Sequence, residues 1–518
     1  MHKSPVSWLR ICVYEDNSNE KPEGFRLLHS KTNSKQNHEQ MRLDLGLGKM
    51  IDVEFDGGQV CSDGGLLFLV KADQRLELTK QAAWCIGDRR RADLISHSIQ
   101  EMLQQRIYGI CAGYEDCNDA SKLNGDAMHL LATGNLPSSG NRLASQPTLS
   151  RFENSVDEVT LQLLQELPIH VWISKLKAKR KRPKTIRLSM DTTCDPVHGY
   201  QQLSFYNGFY ETDCYTPLFV FTEDGFPLAA VLRPGNAAPA EGSVRALKRI
   251  CEKIRLAFGN VPIELTADAG FAVPELFKFC EDNRITYFIG AIGHSGLQYH
   301  AEELVVKCRG EFEKLAGSAL ELKKYGEIKD KKARDLKWRQ REERIRFSSK
   351  SAGRQQEHFE EQLTIRRFGE FSYQSREWHH ERRFIFRVEF TSTGPDVRFV
   401  VTNKKNGKPR ELYEERYCKR GQCENWIKDL KNYLKADRTS CQEWNANQFR
   451  LLLHAFAYIL MGEIRTAACM PFSTVETIRI RFLKVGVLVC ERARTVSLKL
   501  ASHHPWADPF RHAWHALF

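Results

Sequence analysis

Metal-spaced cysteines are missing from this sequence. Its 15 cysteines are scattered along 518 residues, with no Cys-x-x-Cys pair and no Cys/His cluster at zinc spacing. Neither structural zinc nor a disulfide framework is expected. A phosphate loop is missing too. Around Gly46-Leu47-Gly48-Lys49-Met50, Leu43 stands where the first glycine belongs and Met50 where Ser or Thr is needed. No nucleotide partner is therefore expected. Long hydrophobic runs are also absent: Leu451 to Gly462 contains His454 and is too short to span a bilayer. The start carries no basic segment followed by a long apolar one, as a secretory leader would. The simple expectation is a cytoplasmic protein without a membrane partner.

Charge of one sign is in excess. Lys and Arg number 77 against 65 Asp and Glu, a formal net charge of +12. Such an excess favours a polyanionic partner, DNA or an acidic surface. The rest of the composition is that of an ordinary globular protein, long enough for two or three domains. Residues 1–40 are polar with no periodic apolar face, so they are expected to be disordered. Met41 and Met50 are alternative starts, which makes the first forty residues an upstream extension in this reading.

Along the chain, Ile51 to Val70 suggests short strands broken by Gly-Gly turns. Asp93 to Tyr108 has a broad apolar face at helical spacing. Ser145 to Ser155 resembles a capped helix start, with Pro147 early and Thr148, Ser150 and Arg151 free to meet phosphates. Lys175 to Arg187 is the densest basic run and reads as a linker near DNA backbone, broken at Pro183. Thr185 to Met190 alternates like a strand and delivers Asp191, followed by Asp195; either acid suits a strand-end metal site on chemistry. Strands are then expected at Leu203 to Tyr210, Thr216 to Thr222 and Pro227 to Arg233, the last two joined at Glu223-Asp224-Gly225. A crossover helix, Glu241 to Phe258, precedes strand Pro262 to Ala267, which delivers Asp268 before helix Val273 to Asn283. Strand Ile285 to Ile292 follows. From about His294 to Asp396 the pattern is interrupted by a charged helix-prone stretch, Glu302 to Arg346, and strand-like Leu363 to Phe368 and Arg383 to Phe390. Lys331, Lys332, Arg334, Lys337, Trp338 and Arg339 there mix an aromatic with cations, as a DNA-facing surface does. Arg398 to Thr402 returns to the core, Trp444 to Ala467 is a strongly apolar helix, and the piece after Pro471 carries no assignment.

From Glu411 to about Lys435 the spacing predicts one helix with two faces. At about 100° per residue, Tyr417, Arg420, Glu424 and Lys431 fall within a sector of roughly 60°, and Cys423, Trp426, Leu430 and Leu434 form a separate apolar face. A solvated face with a Glu424–Lys428 pair would look similar.

The order Tyr, two residues, Arg, three residues, Glu, six residues, Lys resembles the signature helix of the IS-four-like superfamily of bacterial insertion-sequence transposases. Together with Asn447 and Gln448 in NANQFR it looks most like the IS-thirteen-eighty family, over roughly residues 51–470. The resemblance implies an α/β fold: an RNase H-like catalytic core interrupted by a largely β insertion and preceded by a helical N-terminal DNA-binding domain. The implied bounds are 1–50 extension, 51–180 N-terminal domain, 181–293 first part of the core, 294–396 insertion, 397–470 second part of the core, and 471–518 C-terminal segment. It implies a triad of Asp191, Asp268 and Glu424 as catalytic metal ligands, and Tyr417, Arg420 and Lys431 as DNA-binding residues. Within D-T-x-x-x-P-x-H-G, Asp191 occupies the family's first Asp, and Asp195 is left as a turn former. Phosphodiester cleavage needs an activated oxygen and neutralised attacking and leaving oxygens, which paired divalent ions supply. Three carboxylates suit Mg²⁺, and Mn²⁺ can substitute. The implied partners are double-stranded DNA, as terminal inverted repeats and target, and a second copy in a homodimer. The implied location is bacterial cytoplasm, at the nucleoid when bound to DNA. The implied activity is cut-and-paste transposition, with a stand-alone RNase H-like nuclease and a domesticated DNA-binding regulator as rivals.

Overall fold

The computed structural model describes residues 41–180, 182–316, 364–376 and 378–518. The expectations for residues 1–40 and for Lys331, Lys332, Arg334, Lys337, Trp338 and Arg339 lie outside them. The chain divides into two compact units after Val60. The described part of the first holds a hairpin, Met41–Asp44 against Met50–Val53, with Arg42 Nε 2.6 Å from Asp52 Oδ1.

In the second unit, apolar residues at helical spacing dominate the first stretch. Leu66–Leu76 is a helix whose buried side includes Leu66, Leu69 and Asp73, with Phe68 and Ala72 beside them. This replaces the strand expected through Val70. The preceding glycine pair serves close approach more than turning, since a Cβ on Gly65 would lie 1.6 Å from the Phe482 carbonyl oxygen. The next long helix is Ile99–Ala112, later than the expected start at Asp93. Its start is set by a capping box: Glu101 N–H donates to Ser98 Oγ at 3.1 Å and Ser98 N–H to Glu101 Oε2 at 2.7 Å. Gln146–Glu153 follows Ser145 with Pro in its first turn, and Glu158–Ala178 takes in the first residues of the basic run.

The middle of the chain builds one eight-stranded sheet. Its strands in chain order are β1 Ile186–Thr192, β2 Leu218–Thr222, β3 Pro227–Val231, β4 Ile263–Ala267, β5 Ile285–Ala291, β6 Ile365–Tyr373, β7 Arg382–Thr391 and β8 Gly394–Thr402. In space they run β3-β2-β1-β4-β5-β8-β7-β6. The hairpin partners β1, β2 and β3 are antiparallel, whereas β4 pairs in parallel with both β1 and β5. Parallel neighbours need crossovers, supplied by helices Ser243–Phe258 and Pro274–Asp282. The former buries Leu247, Ile250, Cys251, Ile254 and Phe258 on one face, and β1 and β5 are buried along most of their length, as strands covered on both sides are. Strands β6 to β8, drawn from the stretch expected as an insertion and its exit, continue this same sheet beyond β5. Helix Ser295–Ala316 packs on β6 and β7.

Trp444–Ala467 runs through the interior, with Phe449, Leu453, Phe456, Leu460 and Ile464 fully buried. Each such side chain contributes about 1.5–3 kcal/mol of burial. Gln448 joins this helix to β3, accepting from Leu232 N–H at 2.7 Å and donating to the Ala230 carbonyl at 3.1 Å. Asn447 closes the preceding loop by bonding both backbone groups of Cys441. After residue 471 the chain forms a hairpin, Val487–Glu491 against Val496–Leu500, and helix Ala507–Leu517. That helix returns to the first helix, where Phe510 meets Phe68 edge-on at 4.7 Å. Among the described residues no helix is long and apolar enough to cross a membrane.

Candidate active site

The sheet brings two acids side by side. Met190 on β1 is in register with Ala267 on β4, so Asp191 and Asp268, the next residue of each chain, stand at neighbouring strand ends. Asp191 lies within β1 and accepts its neighbour Thr192 N–H at 2.8 Å. Asp268 follows β4 and caps a short turn by accepting Gly270 N–H at 2.9 Å. Asp191 is 6% exposed. Burial, with the neighbouring Asp268 charge, pushes its carboxyl up to about 6, against the opposing pull of Thr192 N–H and Arg420.

The third acid arrives from a helix that changes type. Leu412–Arg416 is a π turn, Tyr417–Arg420 a 3-10 turn, and only Gly421–Leu434 is α-helical. The single continuous helix expected from Glu411 to Lys435 is thus interrupted at the signature. Cys423, Leu430 and Leu434 are buried and fix the helix on the sheet, with Ile427 beside them. Trp426 stacks obliquely on Phe221 at 5.4 Å and covers Gly225 in the β2–β3 turn. Gly225 has a φ of 81°, which glycine adopts without strain.

On the other side of this helix, Arg420 spans two acids. Its Nη1 is 3.2 Å from Asp191 Oδ2 and its Nη2 is 2.9 Å from Glu424 Oε1. Burial opposes the guanidinium's charge, yet Tyr417, Asp191, Glu424 and Asp268 outweigh it and raise its proton affinity. The guanidinium lies 5.9 Å from the Tyr417 ring centroid. Burial likewise raises the Tyr417 phenol, whose hydroxyl reaches Gly290 on β5: a Cβ there would lie 2.6 Å from Tyr417 Oη and 3.0 Å from Ala269 N. Glu424 keeps a half-exposed side chain.

Tyr417, Arg420 and Glu424 therefore converge with Asp191 and Asp268. Lys431 does not reach the acids. It turns to the loop after β1, 3.2 Å from Thr193 Oγ1 and 3.4 Å from Asp195 Oδ1, with the Cys194 carbonyl accepting from it as well. Asp195 is a buried carboxylate rather than a simple turn former, 1% exposed and pushed up to about 7 by burial against the pull of Lys431. Three features escaped the sequence reading. Gly290 sits in an apolar strand with no local signal. The Lys431–Asp195 pair spans 236 residues by their numbers. The third is a cavity of about 680 Å³ in the helical stretch, lined by Arg89, Arg90, Arg142, Arg151, Ser145 and Thr148. Of that set, Ser145, Thr148 and Arg151 had a sequence signature, the capped helix start, whereas Arg89, Arg90 and Arg142 had none.

The model of the family "Transposase DDE domain group 1" matches residues 43–518. The chain belongs to that family, whose members are enzymes of DNA transposition that cleave and transesterify DNA and generally use divalent metal ions. A comparison with curated proteins gave no match. Among solved structures, a piggyBac transposase in a synaptic complex with hairpin DNA is similar over 82% of this chain and 79% of its own, at 10% identity and a TM-score of 0.34.

Proposed function

We propose that this transposase cuts DNA at its element's terminal inverted repeats and joins the freed 3′ end to target DNA, with Asp191, Asp268 and Glu424 as the metal-holding acids. The observation that carries the assignment is Arg420, a cation gripped by Asp191 and Glu424 at 3.2 and 2.9 Å beside Asp268. Carboxylates spaced to hold one positive group, offering only hard oxygen donors, fit Mg²⁺ or Mn²⁺. When bound, divalent ions activate the attacking oxygen and neutralise the leaving one. The chain's own residues do the rest. Strands β1 and β4 hold Asp191 and Asp268 on a rigid backbone, and the signature helix brings Glu424 to them. Tyr417 and Arg420 supply a donor pair for substrate phosphate, the guanidinium giving a planar two-point grip. The signature implies Lys431 as a further DNA contact, whereas in this structure its partners are Thr193, Cys194 and Asp195.

The strand order β3-β2-β1-β4-β5, with two antiparallel pairs followed by two parallel ones, supports an RNase H-like core, with residues 181–293 and 397–470 supplying it. A helical DNA-binding region at 51–180 is supported by the arginine-lined cavity, in which Arg142 and Arg151 have no carboxylate partner among the described residues. A homodimer would let two ends be held together.

The test is a strand-transfer assay with Mg²⁺ and a linear duplex carrying the DNA that flanks the coding sequence. Asp268→Asn and Glu424→Gln should each abolish cleavage while leaving duplex binding near the parental affinity. Cleavage by the Glu424 variant would remove the triad. Cleaved but never joined products would favour the stand-alone nuclease, and binding without cleavage by the parent would favour the domesticated regulator.

A further inference from the structure

Lys431 lies on the same helix as Glu424, nearly two turns further on, and its ammonium is directed entirely at the loop leaving β1. An ammonium offers three N–H donors. Here Thr193 Oγ1, the Cys194 carbonyl and Asp195 Oδ1 surround it. Asp195 Oδ1 has no well-aligned hydrogen bond, so the 3.4 Å contact with Lys431 Nζ is chiefly electrostatic. A carboxylate this buried needs a counter-charge to remain ionised. Among the described residues, Lys431 is the cation within ion-pair distance of it. Asp195 is further held by its own strand, Asp195–Pro196, which pairs with Thr212–Tyr215, itself paired with Phe205–Asn207. The loop Thr193–Asp195 therefore has one end on Asp191 and the other on a small separate sheet, and Lys431 is its tie to the signature helix.

We propose that Lys431 and Asp195 are positioning residues, which fasten the loop after β1 to the signature helix and thereby fix Asp191 relative to Glu424. The role rests on the triad assigned above. Two acids delivered by elements more than two hundred residues apart in sequence must share one cation, and a small error in their separation weakens that grip. A tie between the elements beyond the acids holds the separation before any cation or DNA arrives. Two of the three Lys431 donors are engaged by Thr193 Oγ1 and the Cys194 carbonyl, and its charge is matched by Asp195.

The test uses Lys431→Met, Asp195→Asn and the double variant in the full chain. Hydrogen exchange of residues 192–196, Mn²⁺ binding to the DNA-free protein followed by electron spin resonance, and duplex binding against salt are measured on each. Each single variant should speed exchange in that loop and weaken Mn²⁺ binding by about tenfold, the low end for residues that orient metal ligands. The double variant should be no weaker than the worse single, because one tie is broken in all three. The salt slope of duplex binding should not change. A slope lower by about one unit in Lys431→Met, with exchange and Mn²⁺ binding as in the parent, would make Lys431 a phosphate ligand and overturn the proposal. Effects that multiply in the double variant would overturn it as well. Should Lys431→Met fail to fold because Asp195 is left unpaired, the double variant, which buries no lone charge, carries the comparison. Glu424→Gln separates the two ideas: it should lower Mn²⁺ binding without altering loop exchange, and parental Mn²⁺ binding by that variant would sink the triad while leaving the loop result standing.

Discussion

Asp191 should reveal the metal site through its proton. Its carboxyl stands at about 6 in the folded chain against an ordinary value of 3.8. Two pKa units of that kind correspond to about 3 kcal/mol of ionisation penalty in the native state. The native state holds this proton more tightly than the unfolded chain, so between about pH 4 and pH 6 it binds more protons. Asp191 therefore costs stability increasingly as pH rises through that window, and the full cost is present above it. A divalent cation binds the ionised carboxylate. Above about pH 6 it offsets a penalty already incurred, and below it must displace the proton, losing up to about tenfold in apparent affinity per unit. Melting temperature with and without excess Mg²⁺ should show a much larger metal-induced rise at about pH 7.5 than at about pH 5. Asp191→Asn should melt higher than the parent at the upper pH without metal and lose most of the Mg²⁺ effect. Equal Mg²⁺ stabilisation of the parent at both pH values, or an undiminished effect in Asp191→Asn, would refute the reasoning.

Gly290→Ala should lower stability by about 1–3 kcal/mol, the usual range for overpacking, and reduce cleavage, because the new Cβ falls 2.6 Å from Tyr417 Oη. Tyr417→Phe in the same chain should restore part of the melting temperature, and an unshifted melt in Gly290→Ala would show that Tyr417 does not rest there. In the arginine-lined cavity, Arg142→Ala and Arg151→Ala should each lower the salt slope of duplex binding by about one unit without altering the melt. Unchanged slopes would remove that cavity from the DNA-binding surface.

Much of the sheet was legible because its strands carry period-two or continuous apolar runs bounded by Gly, Pro and Asp. Pro262 to Ala267 and Ile285 to Ile292 are of this kind, and β4 and β5 lie within them. The central helix coincides with the apolar stretch Trp444 to Ala467. Leu66–Leu76 was missed because a short apolar run has no decisive period and the glycine pair before it reads as a turn; the backbone of Val485 close to Gly64 and that of Phe482 close to Gly65 explain those glycines. Arg398 to Thr402 was legible as a return to the core, and β8, which contains it, pairs with β5; the attachment of β6 and β7 beyond it was invisible, because that pairing is a long-range choice no local pattern encodes. The acids were nameable as strand-end carboxylates, but which of Asp191 and Asp195 faces Glu424 depends on Arg420 and Lys431, each more than two hundred residues downstream.

The break in the signature helix shows why residue spacing alone understated the site. In a uniform α-helix Tyr417 and Arg420 would be offset by about 60° around the axis. A 3-10 turn has about three residues per turn, so side chains at i and i+3 eclipse. The observed 3-10 turn at Tyr417–Arg420 thus sets the guanidinium over the tyrosine ring. The α-helix resumes at Gly421, where the i,i+4 step from Arg420 to Glu424 gives the 2.9 Å ion pair. Tyr417, Arg420 and Glu424 end up more nearly in line than a regular helix would put them. Such a distortion sacrifices regular helical hydrogen bonds, and a π turn beside a 3-10 turn is not what this helix-forming composition would adopt in isolation. It is held from outside, by Gly290 under the Tyr417 hydroxyl and by Asp191 on the Arg420 guanidinium. The sheet therefore shapes the helix that completes the site.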